Sequence, residues 1–154
     1  MTKLSANFSV SELTRSQTAT RKGIDNSPND EQLANLKAMC ENVLQPIRDY
    51  FGKPVRISSG LRVPELNAAI GGSTTSDHCK GMAADIEIPG VDNKELAEWI
   101  GENLEFRQLI LEFYTGDPES GWVHVSYDYN DNKQQVLTAT KQNGKTVYLA
   151  GLVA

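Results

Sequence analysis

Only two histidines occur in this sequence, His78 and His124, and the residues around each suit a metal ligand. His78 lies in a turn-rich segment that leads to Asp85, and Gly81 lets the intervening chain fold back so that the imidazole and the carboxylate converge. His124 lies in the alternating segment 122–126, where strand geometry places it on the polar face, opposite the valines. The two regions can therefore supply two imidazoles and one carboxylate to one cleft.

This combination is typical of a catalytic zinc site, which uses three protein ligands and leaves a fourth position for water. Zinc activates that water and polarises a carbonyl group, so that amide hydrolysis needs only one further carboxylate to move protons. A simpler interpretation stays open on spacing alone, in which one histidine is exposed in a loop and the other is half-buried in a sheet.

Three sequence blocks surround these residues. They are Ser-Gly-Leu-Arg at 59–62, followed by Asn67, then Ser-x-His-x-x-Gly-x-Ala-x-Asp at 76–85, and Trp-Val-His-Val-Ser at 122–126. In type and order they resemble the zinc D-Ala-D-Ala carboxypeptidase family, over roughly residues 55–127. That family includes peptidoglycan carboxypeptidases, vancomycin-resistance dipeptidases and phage endolysins, and it shares a zinc core with hedgehog signalling domains.

The resemblance implies a role for five residues. His78, Asp85 and His124 would bind Zn²⁺, and Arg62 and Ser76 would bind the substrate. The planar guanidinium of an arginine suits the carboxylates and carbonyls of a peptide beside the metal. Simpler roles stay open, since the arginine could pair with a surface acid and the serine could bond to nearby loop backbone.

The general base is the point at which this sequence departs from the family pattern. Many relatives carry Glu or Asp three residues before the last histidine, where this chain has Gly121. Glu112, inside an otherwise apolar segment, is our predicted base, because a carboxylate there is costly unless it is paired or used. Relatives with the Trp-Val-His ending resemble this chain at Glu112. Glu119, in a turn-rich run, is the alternative, and a Glu112 side chain that simply faces water is the plainest interpretation.

The elements that position these residues follow from local patterns. Ser9 can cap a short helix, and a longer helix capped by Ser27 or Asn29 extends to Phe51, with a bend at Pro46. A short helix is predicted from Pro64, a helix at 93–104, strands at 55–59, 83–88, 108–113 and 122–127, and a hairpin of 135–140 and 145–152 that turns at Asn143-Gly144. This order predicts an α+β fold with helices packed on a mainly antiparallel sheet.

The whole chain, 154 residues, has the length of one domain. We predict a single zinc peptidase domain, residues 1–154, with an N-terminal helical part (1–52), a metal-site core (53–128) and a C-terminal hairpin (129–154). A net charge of -5 argues against nucleic-acid binding, and no apolar run approaches the roughly 18 residues of a membrane span. We expect Cys40 and Cys79 to be free thiols.

The predicted function is zinc-dependent hydrolysis of peptidoglycan stem peptides or cross-links, as in a phage endolysin or a related cell-wall peptidase. The N-terminal segment lacks the apolar run of a signal peptide, so we expect a cytosolic protein that acts on the cell wall after release. We also expect it to be a monomer. The alternative is a non-catalytic zinc-containing binding domain of the same fold, for which Gly121 is the main support. A metal-free sheet protein is the third interpretation.

Overall fold

The fold combines short helices with one large sheet, and the computed structural model describes residues 2–154. The helices are α1 (Val10–Thr14), α2 (Gln17–Lys22), α3 (Asp30–Met39), α4 (Gln45–Phe51), α5 (Pro64–Ala69) and α6 (Asn93–Asn103). The strands are β1 (Lys3–Ser5), β2 (Phe8–Ser9), β3 (Arg56–Ser59), β4 (Ala83–Glu87), β5 (Gln108–Glu112), β6 (Trp122–Ser126), β7 (Gln135–Gln142) and β8 (Lys145–Ala150). The predicted α+β class is confirmed.

Six of the strands form one sheet in the order β3-β4-β6-β5-β7-β8, while β1 and β2 form a separate pair. Every pair in the large sheet is antiparallel except β5 with β7, which run parallel. The parallel pair arises because β6 ends at Ser126, opposite Gln108 at the start of β5, and the chain re-enters the sheet at Gln135 on the other edge of β5. The final hairpin therefore extends the same sheet.

The two faces of the large sheet differ in chemistry because side chains alternate along each strand. One face packs against the helices and is fully buried, with Ala84, Ile86, Leu109, Leu111, Val123 and Val125 in the same apolar cluster as the helical residues. The opposite face carries Asp85 and His124. The apolar face anchors the strands, and the polar face remains free to form a site.

The predicted long helix is interrupted. Asn29 caps its first turn in a capping box with Gln32, but a π-helical turn, Cys40–Leu44, separates α3 from α4. The wider turn precedes Pro46, which has no backbone N–H to donate and lies at the start of α4. The proline thus coincides with a local change of helix type. No helix among residues 2–154 has both the length and the apolar character needed to cross a membrane.

Candidate metal centre

Asp85 and His124 face each other across two neighbouring strands. β4 and β6 are antiparallel, and their register places Asp85 directly opposite His124, so both side chains project from the same face of the sheet. The His124 Nδ1 lies 3.0 Å from Asp85 Oδ1. Sheet pairing alone thus brings together two groups that are far apart in sequence.

His78 reaches the same place from a short 3₁₀ turn, Asp77–Lys80. The turn is held against α3, where the side-chain amide of Gln32 donates a 2.9 Å hydrogen bond to the carbonyl of Cys79. Gly81 ends the turn with φ +76°, and a Cβ at this position would lie 2.7 Å from the backbone oxygen of Gln32. Glycine is therefore required both for the backbone conformation and for the close approach of α3.

The orientation of the His78 ring leaves one nitrogen free to bind a metal. Its Nδ1 lies 2.8 Å from the carbonyl oxygen of Gly60, a backbone partner of the kind that orients metal-ligating histidines. Its Nε2 is buried, lies 3.5 Å from Asp85 Oδ2 and has no hydrogen-bond partner among the described residues. The potential ligand atoms of His78, Asp85 and His124 all lie within 4.8 Å of one another. An orphaned buried nitrogen beside a carboxylate and a second imidazole fits a bound metal ion.

The charges of this cluster support the same conclusion. Burial alone would raise the pKa of Asp85, but the hydrogen bond from His124 and the charges of His124 and His78 outweigh it, and the pKa falls well below its ordinary value. Burial alone would lower the pKa of His124, yet the hydrogen bond and negative charge of Asp85 raise it. Asp85 is thus held as a carboxylate, the form in which it can bind a cation.

A cavity of about 500 Å³ opens over these three residues. Arg62, Ser76 and Glu112 also line it. The Nε of Arg62 is buried without a hydrogen-bond partner. Within residues 2–154 its guanidinium forms no salt bridge, so the structure does not show it paired with a surface acid. Ser76 does bond locally, because its hydroxyl oxygen accepts from the backbone N–H of His78 at 3.2 Å. It contributes to the turn and to the cavity wall.

A buried asparagine that the sequence analysis missed holds the segment carrying Arg62. The side-chain amide of Asn26 donates to the carbonyls of Thr14 and Leu61, at 2.8 Å each, and its oxygen accepts from the backbone N–H of Val63. The bonds to Leu61 and Val63 flank Arg62 on both sides. No local pattern could have revealed this role, since Asn26 lies in a polar stretch that resembles an ordinary connection.

Of the two acids considered as general base, the structure brings only Glu112 to the cavity. Its Oε2 accepts a 2.8 Å hydrogen bond from the indole N–H of Trp122, opposite it on β6. Burial, followed by the nearby charge of Asp85, raises the pKa of Glu112 above its ordinary value. Glu119 is exposed and lines a different cavity, next to Gly121.

The two cysteines lie outside this cluster. Both are free, as expected, and both are buried. Although Cys79 follows His78, its thiol points toward the carbonyl oxygen of Ser73, 3.6 Å away, and it is not part of the group of potential metal ligands. Neighbouring side chains in this turn therefore diverge.

Comparison with known families agrees with the geometry. The family model for Peptidase M15 matches residues 6–126. The match starts well before the first of the three sequence blocks, so it includes α3, which packs against the His78 turn. No curated protein matches the chain. Peptidases of this family are metal-dependent, which accords with a cluster of two histidines and an aspartate. Because the match covers most of its length, the chain belongs to the M15 family of metallopeptidases.

Proposed function

We propose that this protein is a zinc peptidase that hydrolyses amide bonds in the stem peptides or cross-links of bacterial peptidoglycan. The observation that carries the proposal is the convergence of His78, Asp85 and His124, with ligand atoms within 4.8 Å, at a cavity that Arg62 and Glu112 also line. Metal ligands, a cation and a further carboxylate in one open cavity are the parts that amide hydrolysis requires.

The three clustered side chains would hold the zinc ion. His78 would bind through Nε2, His124 through Nδ1 and Asp85 through its carboxylate, since these are the atoms that face one another. Three protein ligands are the usual number in a catalytic zinc site. When bound, zinc supplies Lewis acidity that activates water and polarises the scissile carbonyl.

Glu112 would act as general base and then as general acid. The indole of Trp122 fixes one carboxylate oxygen, Oε2, which leaves Oε1 to take a proton from water and to return it to the departing amine. A raised pKa suits this role, because a base whose pKa lies closer to the working pH both accepts and returns a proton efficiently.

Arg62 and Ser76 would orient the peptide. The Arg62 guanidinium lines the cavity and carries no internal ion pair among the described residues, so its charge is available to a substrate carboxylate or carbonyl. The Ser76 hydroxyl accepts one backbone hydrogen bond and keeps its own proton for donation to the substrate. Two donors on one side of the cavity would fix the peptide beside the ligands.

We further propose that the protein works as a phage endolysin or related cell-wall peptidase, as a monomer that is made in the cytosol and reaches the wall after release. The support for this role is the resemblance of its sequence blocks to a family that includes endolysins. The net charge of -5 argues against nucleic acid as the alternative partner.

The test is digestion of purified peptidoglycan by the zinc-loaded protein, with and without a chelator, and with His124→Ala as the control. New free amino groups that disappear with chelator and in His124→Ala are expected, and mass spectrometry of the products identifies the bond cut. Stoichiometric zinc without any product would instead identify a non-catalytic zinc-containing domain. Absence of bound zinc by elemental analysis would identify a metal-free protein.

A further inference from the structure

The C-terminal hairpin contributes a side chain to the cavity over the metal ligands. The hairpin consists of β7 and β8 and lies beyond residues 6–126, the part of the chain that matches the M15 family. Tyr148, on β8, nevertheless lines the same cavity as His124 and Glu112. A segment outside the family match therefore shapes the wall of the site.

Strand register explains how Tyr148 reaches this position. Trp122 is opposite Glu112, Glu112 is opposite Ala139, and Ala139 is opposite Tyr148. Residues paired in this way project from the same face of a sheet, so the four side chains form one row across β6, β5, β7 and β8. Ala139, which has a small side chain, lies between Glu112 and Tyr148 in this row.

Nothing within the described residues accounts for the exposure of this ring. Tyr148 is 56% exposed, and its hydroxyl forms no hydrogen bond with residues 2–154. Tyr50 is also exposed but stacks on Trp99 with ring centroids 4.5 Å apart. Tyr129, 81% exposed, lines none of the cavities described above. Tyr148 thus combines a free aromatic face and a free hydroxyl with a place at the reaction cavity.

Its distance from the metal ligands indicates what it contacts. Neighbouring strands are about 4.8 Å apart and β8 is three strands from β6, so the backbone of Tyr148 lies roughly 14 Å from Trp122, the β6 residue in its row, and roughly 16 Å from His124, two residues further along β6. Arg62 follows β3, at the opposite edge of the sheet. An extended peptide advances about 3.3 Å per residue, and the tyrosine side chain itself spans part of the distance to the metal ligands. Roughly two to four peptide residues therefore separate the scissile bond from the residue that contacts Tyr148.

We propose that Tyr148 is a substrate-binding residue that contacts the peptide two to four residues from the scissile bond, on the side away from Arg62, and so makes the rate depend on peptide length. The ring packs against the peptide planes and alanine methyl groups of the stem peptide, and the hydroxyl donates to a peptide carbonyl. This inference rests on the proposed peptidase function and deepens it.

The experiment measures kcat and KM of wild type, Tyr148→Ala and Tyr148→Phe on synthetic stem peptides shortened stepwise from either end. Tyr129→Ala is the matched control, and thermal unfolding of each variant verifies that the sheet edge is intact. For peptides long enough to reach β8, Tyr148→Ala should lower kcat/KM about tenfold, chiefly through KM, and should leave the shortest cleaved peptides unaffected. Tyr148→Phe keeps the aromatic ring and should therefore lower kcat/KM much less than Tyr148→Ala does.

Two results would overturn the inference while leaving the proposed function in place. One is unchanged kcat/KM at every peptide length in Tyr148→Ala. The other is an equal loss at every length, which would indicate a structural role. If wild-type protein with stoichiometric zinc cleaves no peptide of any length, the proposed function fails first and the inference fails with it. The wild-type measurement thus distinguishes the two failures.

Discussion

The backbone carbonyl of Glu112 occupies the space where a side chain at Gly121 would begin. A Cβ at position 121 would lie 1.9 Å from this oxygen, and Gly121 has φ +64°, a conformation that side chains rarely allow. Position 121 is where many relatives carry their catalytic acid. In the backbone conformation of this chain no acid fits at position 121, so the glycine has a structural cause and does not by itself indicate a lost activity.

Gly121→Ala should therefore destabilise the protein by at least about 2 kcal/mol, because it adds a backbone clash to an unfavourable φ. Chemical denaturation measures the effect. Gly116→Ala is the matched control, since Gly116 also has a positive φ but a Cβ there meets nothing within 4 Å. Equal losses in both variants would show that the contact with the Glu112 carbonyl is unimportant.

Glu112→Gln should lower kcat on peptidoglycan peptides by about 10²- to 10⁴-fold, since the amide cannot transfer the proton. Zinc content should stay stoichiometric, because Glu112 is not among the clustered ligands. Glu119→Gln, which alters an exposed acid in a separate cavity, should behave as wild type. Near-normal turnover in Glu112→Gln would exclude Glu112 as the general base. A loss of kcat confined to Glu119→Gln would identify Glu119 as the base instead.

Zinc affinity should fall as the pH falls through the raised pKa of His124. In the metal-free protein the charge of Asp85 raises this pKa despite burial, so a proton stays on His124 up to a higher pH than on an isolated histidine. The metal needs the neutral imidazole, and binding must release that proton. Calorimetry in buffers of different ionisation enthalpy measures the release directly. Affinity independent of pH near neutrality, with no proton released, would contradict the assignment of His124 as a ligand.

Asn26→Ala should cost about 2–4 kcal/mol of folding free energy, because it leaves three backbone groups without their partner, and two of them, at Leu61 and Val63, flank Arg62. Since two of these bonds flank Arg62, we also expect a higher KM for peptide substrates with zinc binding unchanged. Asn42→Ala is a suitable control, as Asn42 makes one exposed hydrogen bond within its helix. Equal stability of the two variants would show that the hydrogen bonds of Asn26 do not stabilise the segment that carries Arg62.

Cys40 should not react with thiol reagents in the native protein. Burial, helped by the charges of Glu12 and Glu41, raises the pKa of its thiol to about 12, so the reactive thiolate is scarce at neutral pH. Titration with a chromogenic disulfide should find Cys40 unreactive when folded and both cysteines reactive in denaturant. Rapid labelling of Cys40 in the folded state would show that α3 and α4 open readily.

Much of the fold and the composition of the site are encoded in local patterns. Alternation places Asp85 and His124 on polar strand faces, and Asn143-Gly144 marks the final hairpin turn with two positive φ values. The sequence blocks around the histidines sufficed to identify the family. These features are predictable because a strand or a turn is determined by neighbouring residues.

Only the tertiary structure decided which distant residues share a cavity. A pattern along one strand does not reveal its neighbour, so the parallel pairing of β5 with β7, and with it the place of Tyr148, depends on the packing of the whole sheet. The same holds for Asn26, whose three partners lie on two segments that are far apart in sequence. Glu112 and Glu119 are similar acids in sequence, and strand register determines which one shares a cavity with His124.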